Sequence, residues 1–101
     1  MNQDVIANNL SSFKNHIEDF EKGYRDLVND FESFVNHITA LNGMWTGEAH
    51  DAFMNRFDQD KAEVENMLDY IKEIHAALKY ADTEYSRCER EVAGFINEIN
   101  V

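Results

Sequence analysis

A run of apolar residues that recur every three or four positions constrains this fold more than any other feature of the sequence. Alternating steps of three and four place side chains on one stripe of an α-helix. Val28 and Val35 widen this stripe near its end. The pattern predicts a long first helix over about residues 4–41. The stripe consists of Ile6, Leu10, Phe13, Ile17, Phe20, Tyr24, Leu27, Phe31, Phe34, Ile38 and Leu41.

The second half of the chain repeats this spacing, and it predicts a second helix over about residues 47–96. Leu68 and Ile96 lie beside this stripe. Asp60 interrupts it, which leaves open whether the helix distorts there or the carboxylate reaches solvent. The stripe consists of Phe53, Phe57, Val64, Met67, Ile71, Ile74, Leu78, Ala81, Tyr85, Cys88, Val92, Phe95 and Ile99.

The segment Leu41–Glu48 is the predicted turn, because Asn42 and Gly43 are typical of a helix end and Thr46 is a plausible new start. The chain has no proline and four glycines, so few other breaks are expected. The sequence predicts an all-α, single-domain, antiparallel two-helix hairpin with its turn at about residues 42–47.

The apolar stripes are wider than one helix–helix contact can cover. A second hairpin that completes a four-helix bundle would bury the surplus, so we expect a homodimer. A monomeric coiled-coil hairpin is the alternative. The residues expected at the hairpin and dimer seams are Phe13, Ile17, Phe20, Leu27, Phe31, Phe34, Val64, Ile71 and Leu78.

Charge and composition exclude several classes of function. A net charge of -11 without a basic stripe argues against binding nucleic acid or anionic lipid. The N-terminal residues lack the pattern of a signal peptide, and no stretch is apolar enough to span a membrane, which predicts a cytosolic chain unless it leaves by a route for folded or helical substrates. The single Cys88 is expected to be a buried, inert thiol.

No arrangement of residues predicts catalysis, a metal site or a cofactor. The histidines, which are His16, His37, His50 and His75, lack ligand spacing, and phosphate-binding and nucleophile motifs are missing. His75 lies beside the second stripe and is expected to pack there. The protein is therefore not expected to be an enzyme.

Trp45-Thr46-Gly47 in the predicted turn resembles the Trp-x-Gly motif of the WXG-100 family, the early-secreted-antigen-like substrates of bacterial type VII secretion. Ala49 and Phe53 follow where that family often has a small residue and an aromatic residue. Chain length and the flanking helices also agree, so the resemblance covers the whole chain. It implies a secreted helical protein that pairs with itself or with a related Trp-x-Gly protein.

The family also has a C-terminal export signal, Tyr-x-x-x-Asp/Glu, followed by apolar residues seven and eleven positions after the tyrosine. Tyr85 and Glu89 fit this longer pattern, with Val92 and Ile96 at the later positions. Tyr80 with Glu84 fits only the short form, because Arg87 and Glu91 stand at the later positions. The resemblance implies that the turn and this C-terminal tail together bind the secretion ATPase.

Counting from a turn at Trp45, Tyr85 is expected across from about Val5. The apolar residues past about position 90, which are Val92, Phe95, Ile96 and Ile99, are then expected to overhang without a facing residue.

Two functions follow from the resemblance. One is a secreted substrate that acts by protein–protein interaction. The other is an adaptor that escorts a larger type VII toxin or a second Trp-x-Gly protein. Membrane lysis is disfavoured by the acidic charge and the lack of a basic amphipathic face.

Overall fold

The computed structural model describes residues 3–99, and these form two long helices. Helix α1 is Gln3–Asn42 and helix α2 is Glu48–Ile99, with residues 43–47 between them. No strand occurs within residues 3–99. The prediction of an all-α two-helix hairpin is confirmed, and α2 extends three residues beyond the predicted end near residue 96.

The chain divides into two compact units, each of which contains a segment of both helices. The turn unit is Lys22–Lys72, and the terminal unit comprises the chain up to Glu21 and from Glu73 onward. In both units the segments of α1 and α2 run antiparallel, since residues later in α1 contact residues earlier in α2.

In the turn unit, the core lies where the two helices face each other. Ile38 of α1 and Leu68 of α2 are buried, and Leu68 is only 7% exposed. The rings of Phe34 and Phe57 lie 6.0 Å apart between centroids. Val28 and Val35, which widen the stripe in the sequence, are half-buried.

In the terminal unit, Leu10 and Ile17 are the buried residues of α1. Phe13 stacks on Tyr85, with ring centroids 5.7 Å apart, and Phe20 stacks on His75 at 6.1 Å. His75 therefore packs between the helices, as its position beside the stripe indicated.

The expected pairing of Tyr85 with Val5 is wrong, because Phe13 is the residue that faces Tyr85. Each side chain leans toward the N-terminus of its own helix. In an antiparallel pair, this lean brings residues into contact that have higher numbers on both helices than a count from the turn gives. The apolar tail was expected to lack a facing residue beyond about position 90. Val92 instead shares a groove with Ile6 of α1, so the unpaired part of the tail begins later.

The apolar stripe of each helix is three residues wide, and the other helix covers only part of it. On α1, Leu27, Phe34 and Leu41 recur every seven residues and stay exposed, Phe34 to 53%. Of the predicted seam residues, Ile17 is buried, while Phe13, Phe20, Phe31, Val64, Ile71 and Leu78 are half-buried.

On α2, apart from Val92 and Ile99 near its C-terminal end, the large exposed apolar members of the stripe share one heptad position. They are Phe53 and Met67 in the turn unit, and Ile74 and Phe95 in the terminal unit. Ile74 is 50% exposed and Phe95 is 62% exposed. We call this heptad position, together with Leu27, Phe34 and Leu41 of α1, the open stripe.

Asp60 and Cys88 occupy the same heptad position of α2, and both are exposed. Helix α2 is uninterrupted at Asp60, whose carboxylate accepts hydrogen bonds from Nε of Arg56 at 3.1 Å. The carboxylate thus reaches solvent without distorting the helix. The expectation of a buried thiol at Cys88 is wrong, because α1 leaves this side chain exposed.

Truncating the buried Leu68 to alanine should lower the free energy of unfolding by about 2–4 kcal/mol, through lost burial and the cavity left behind. Urea unfolding at one protein concentration measures this change. Met44→Ala removes a comparable side chain from an exposed position and should change the free energy by less than about 0.5 kcal/mol. Equal effects of the two substitutions would contradict the assignment of the core.

Candidate functional site

The backbone of residues 43–47 is closed by one hydrogen bond at each end. The N–H of Met44 donates to the carbonyl of Leu41 at 3.0 Å, and the N–H of Asp51 donates to the carbonyl of Gly47, also at 3.0 Å. Gly47 has a φ of 114°, a left-handed conformation that costs little only for glycine. A Cβ at Gly47 would meet open space, so the requirement for glycine is conformational rather than steric.

Gly43, which directly follows the end of α1, differs from Gly47 because its φ is not positive. The chain reverses instead through Gly47, the glycine of the Trp-x-Gly motif. The spacing of this motif therefore has a local physical reason: the left-handed residue comes two positions after the tryptophan, and α2 begins directly after it.

Trp45 is partly packed, with 39% of its surface exposed. Its indole contacts the ring of Phe53, with centroids 6.0 Å apart. Phe53 in turn stacks on Phe57 at 6.3 Å, and Phe57 contacts Phe34 at 6.0 Å. An aromatic series thus connects the exposed tryptophan to the packed part of the turn unit.

His50 also contacts Trp45, and sequence reasoning assigned this histidine no role. The two rings are perpendicular, with centroids 5.1 Å apart. The imidazole bonds through Nε2 to Oδ1 of Asn42, and its Nδ1 lies 3.0 Å from Oδ1 of Asp51. A signal was available in the sequence: His50 falls in the first turn of α2, next to the predicted end of α1.

The tip of the turn unit carries an apolar surface around an open groove of about 450 Å³. Leu41, Met44, Trp45 and Phe53 line this groove, and all four are exposed. We call these four residues the tip patch. Four neighbouring apolar side chains at a turn form a surface suited to contact with another protein.

The predicted export residues lie in the terminal unit, beside a second apolar groove of about 400 Å³. Tyr85, Glu89 and Val92 line it together with Ile6, Glu84 and Cys88, while Ile96 lies further along α2 and does not. Among residues 3–99, Glu89 makes no hydrogen bond or ion pair with another side chain. Its carboxylate is therefore available at the edge of an apolar groove.

The other candidate pair is Tyr80 and Glu84, of which Glu84 also lines this groove but has charged partners of its own. Tyr80 is exposed, and Glu84 accepts a hydrogen bond from Arg87 at 2.7 Å. Arg87 also donates to Glu91 at 2.7 Å. The hydrogen bond with Glu84 and the charges of both carboxylates raise the pKa of Arg87. Glu84 is thus engaged within α2, whereas Glu89 is not.

Two further searches covered the described part of the chain. Residues 3–99 contain no group of three or more His, Cys, Asp or Glu side chains placed to hold a metal ion. Neither helix, over its described length, has the length and apolarity that crossing a membrane requires.

We expect Gly47→Ala to lower the free energy of unfolding by about 1–2 kcal/mol, because alanine is strained at positive φ. Gly43→Ala is the matched control. Its added Cβ would make an ordinary 3.7 Å contact with the carbonyl oxygen of Ala40, and the change should stay within about 0.5 kcal/mol. Thermal or urea unfolding distinguishes the two, and a harmless Gly47→Ala would contradict the proposed role of the left-handed turn.

Comparison with known proteins bears on the same features. The profile of the WXG100 family, described as proteins of 100 residues with WXG, matches residues 4–90. Searches against curated proteins and against solved structures gave no match. The family is known for small helical proteins secreted by type VII systems, which act in pairs or dimers and are not typically enzymes. Because the match covers most of the chain and includes the turn at Trp45 and Gly47, this chain belongs to the WXG100 family.

Proposed function

We propose that this chain is made in the bacterial cytoplasm and exported by a type VII secretion system as a folded homodimer. Its function is protein–protein interaction rather than catalysis. The observation that carries the proposal is the Trp-x-Gly turn, which holds a large aromatic side chain partly exposed at the tip patch. A side chain kept there contributes less to the core than to contact with a partner.

The partner for this surface is the secretion ATPase. It would bind the tip patch together with the groove beside Tyr85, Glu89 and Val92, which we call the C-terminal groove. Tyr85 and Val92 supply apolar contacts along one face of α2, and Glu89 supplies a charge between them. Residues spaced by three, four and seven positions form one helical face. Such a face binds as a helix in a groove, in which apolar anchors give affinity and the charge sets orientation.

Dimerisation is supported by the open stripe. Phe53, Met67, Ile74 and Phe95 occupy one heptad position of α2, and α1 leaves all four exposed. Burying half-exposed apolar side chains of this size would contribute on the order of 1 kcal/mol each, at about 25 cal/mol per Å². A second hairpin with the same stripe is the simplest cover, because a two-fold interface uses the same surface on both copies.

The alternative is an adaptor that escorts a larger type VII toxin or a second Trp-x-Gly protein. Asp60 favours this alternative, because it places a carboxylate in the otherwise apolar open stripe. A partner with a basic residue opposite Asp60 would fit better than a second copy. An adaptor would stay monomeric until the helical partner is added, whereas the secreted homodimer assembles alone.

A negative charge on the open stripe should break the dimer and leave the hairpin folded. We expect Ile74→Glu to weaken association roughly a hundredfold, since burying an unpaired carboxylate costs about 3 kcal/mol or more. The melting temperature of the wild type should rise with protein concentration, and that of Ile74→Glu should not. Ala76→Glu adds the same charge on another side of α2 and should behave as wild type. Identical behaviour of the two variants would contradict the interface.

Export should depend on the charge of Glu89. We expect Glu89→Gln to fold and melt as wild type but to be exported about tenfold less, because one charge-assisted contact contributes roughly 1.5 kcal/mol. Secretion is measured as the ratio of extracellular to intracellular protein. Trp45→Ala, expected to cost about 1 kcal/mol of stability or less, should also reduce export.

Glu84→Gln is the matched control, with the same substitution five residues earlier on α2, and it should be exported normally. If Glu84→Gln blocks export while Glu89→Gln does not, the signal is Tyr80 with Glu84. If neither substitution matters, the C-terminal groove has no part in export.

A further inference from the structure

His50 joins three parts of the turn region through one side chain. Its Nε2 bonds to Asn42, the last residue of α1, and its Nδ1 lies 3.0 Å from the carboxylate of Asp51 on α2. Its ring is perpendicular to the indole of Trp45, in the loop between the helices. Among residues 3–99, the bond between His50 and Asn42 is the side-chain hydrogen bond that links the end of α1 to the beginning of α2.

We infer that His50 is a positioning residue. It joins the end of α1 to the start of α2, a link that we call the latch. Through this link it holds the indole of Trp45 in its orientation within the tip patch. The inference rests on the proposed function in one respect, namely that a presented Trp45 is what the export machinery contacts. The latch itself is a property of the turn and can be tested without export.

The chemistry of imidazole suits both ties. Both partner atoms are oxygens, so a protonated ring donates to both residues and a neutral ring donates to one of them. At least one of the two ties is therefore available in either charge state.

The charged surroundings of His50 are few. Asp51 is its charged contact on α2, and Glu48 is the other acid in the first turn of that helix. Helix α1 contributes the uncharged Asn42, and its last turn contains no basic residue. The imidazole of His50 thus contacts a carboxylate, an amide and an aromatic ring.

Trp45 is the single tryptophan of the chain, so its fluorescence reports directly on this contact. In the wild type the imidazole lies edge-on against the indole, so its removal should change the surroundings of the indole. We expect the emission of His50→Gln to shift to longer wavelength, because loss of the imidazole exposes more of the indole to water. His37→Gln, which changes an exposed histidine of α1, should emit as wild type.

Two variants test positioning separately from contact. In His50→Gln and in Asn42→Ala, time-resolved fluorescence anisotropy should show a wider local motion of the indole, while the helix content is retained. An emission spectrum of His50→Gln identical to that of the wild type, or indole motion unchanged in that variant, would overturn the latch.

An export assay on the same variants separates the latch from the proposed function. If the fluorescence results hold and His50→Gln is exported less than His37→Gln, the latch serves export. If the fluorescence results hold but Trp45→Ala is exported normally, the latch stands and the proposed role of Trp45 fails. If Trp45→Ala blocks export but His50→Gln leaves the indole motion unchanged, the proposed function stands and the latch is overturned.

Discussion

A helix that carries apolar residues at three neighbouring heptad positions cannot bury all of them against one other helix. In each unit, the facing helix covers the residues that point into the hairpin, such as Ile38 and Leu68 in the turn unit and Ile17 in the terminal unit. The third position of α2 stays open, as at Ile74, and on α1 Leu27 and Phe34 of the turn unit remain exposed. The width of the stripe thus gives the hairpin its core and leaves it a surface for association.

The turn is subject to a second constraint, which is local. Gly47 must adopt a left-handed conformation so that α2 can begin directly after it. Trp45 then lies two residues before this reversal, where it packs against Phe53 and His50 without being buried. The spacing of the Trp-x-Gly motif follows from this geometry: the glycine makes the reversal, and the aromatic series supports the tryptophan.

Periodicity predicted both helices and the turn because an α-helix repeats every 3.6 residues and the chain lacks proline. It could not predict which edge of the stripe faces the other helix, because the period places residues on a face without fixing its rotation. Cys88 was therefore expected to be buried but is exposed, and Tyr85 faces Phe13 rather than Val5. His50 was missed because its contacts join two helices and a loop, and a single-helix pattern does not contain them.

Sedimentation equilibrium of the wild-type chain, at micromolar concentration and near neutral pH, tests most directly whether the open stripe is an interface between two copies. The account predicts a single species with twice the 11.8 kDa mass of one chain, in reversible equilibrium with monomer on dilution. A mass of 11.8 kDa that does not change with concentration would contradict it, and the open stripe would then belong to a different partner.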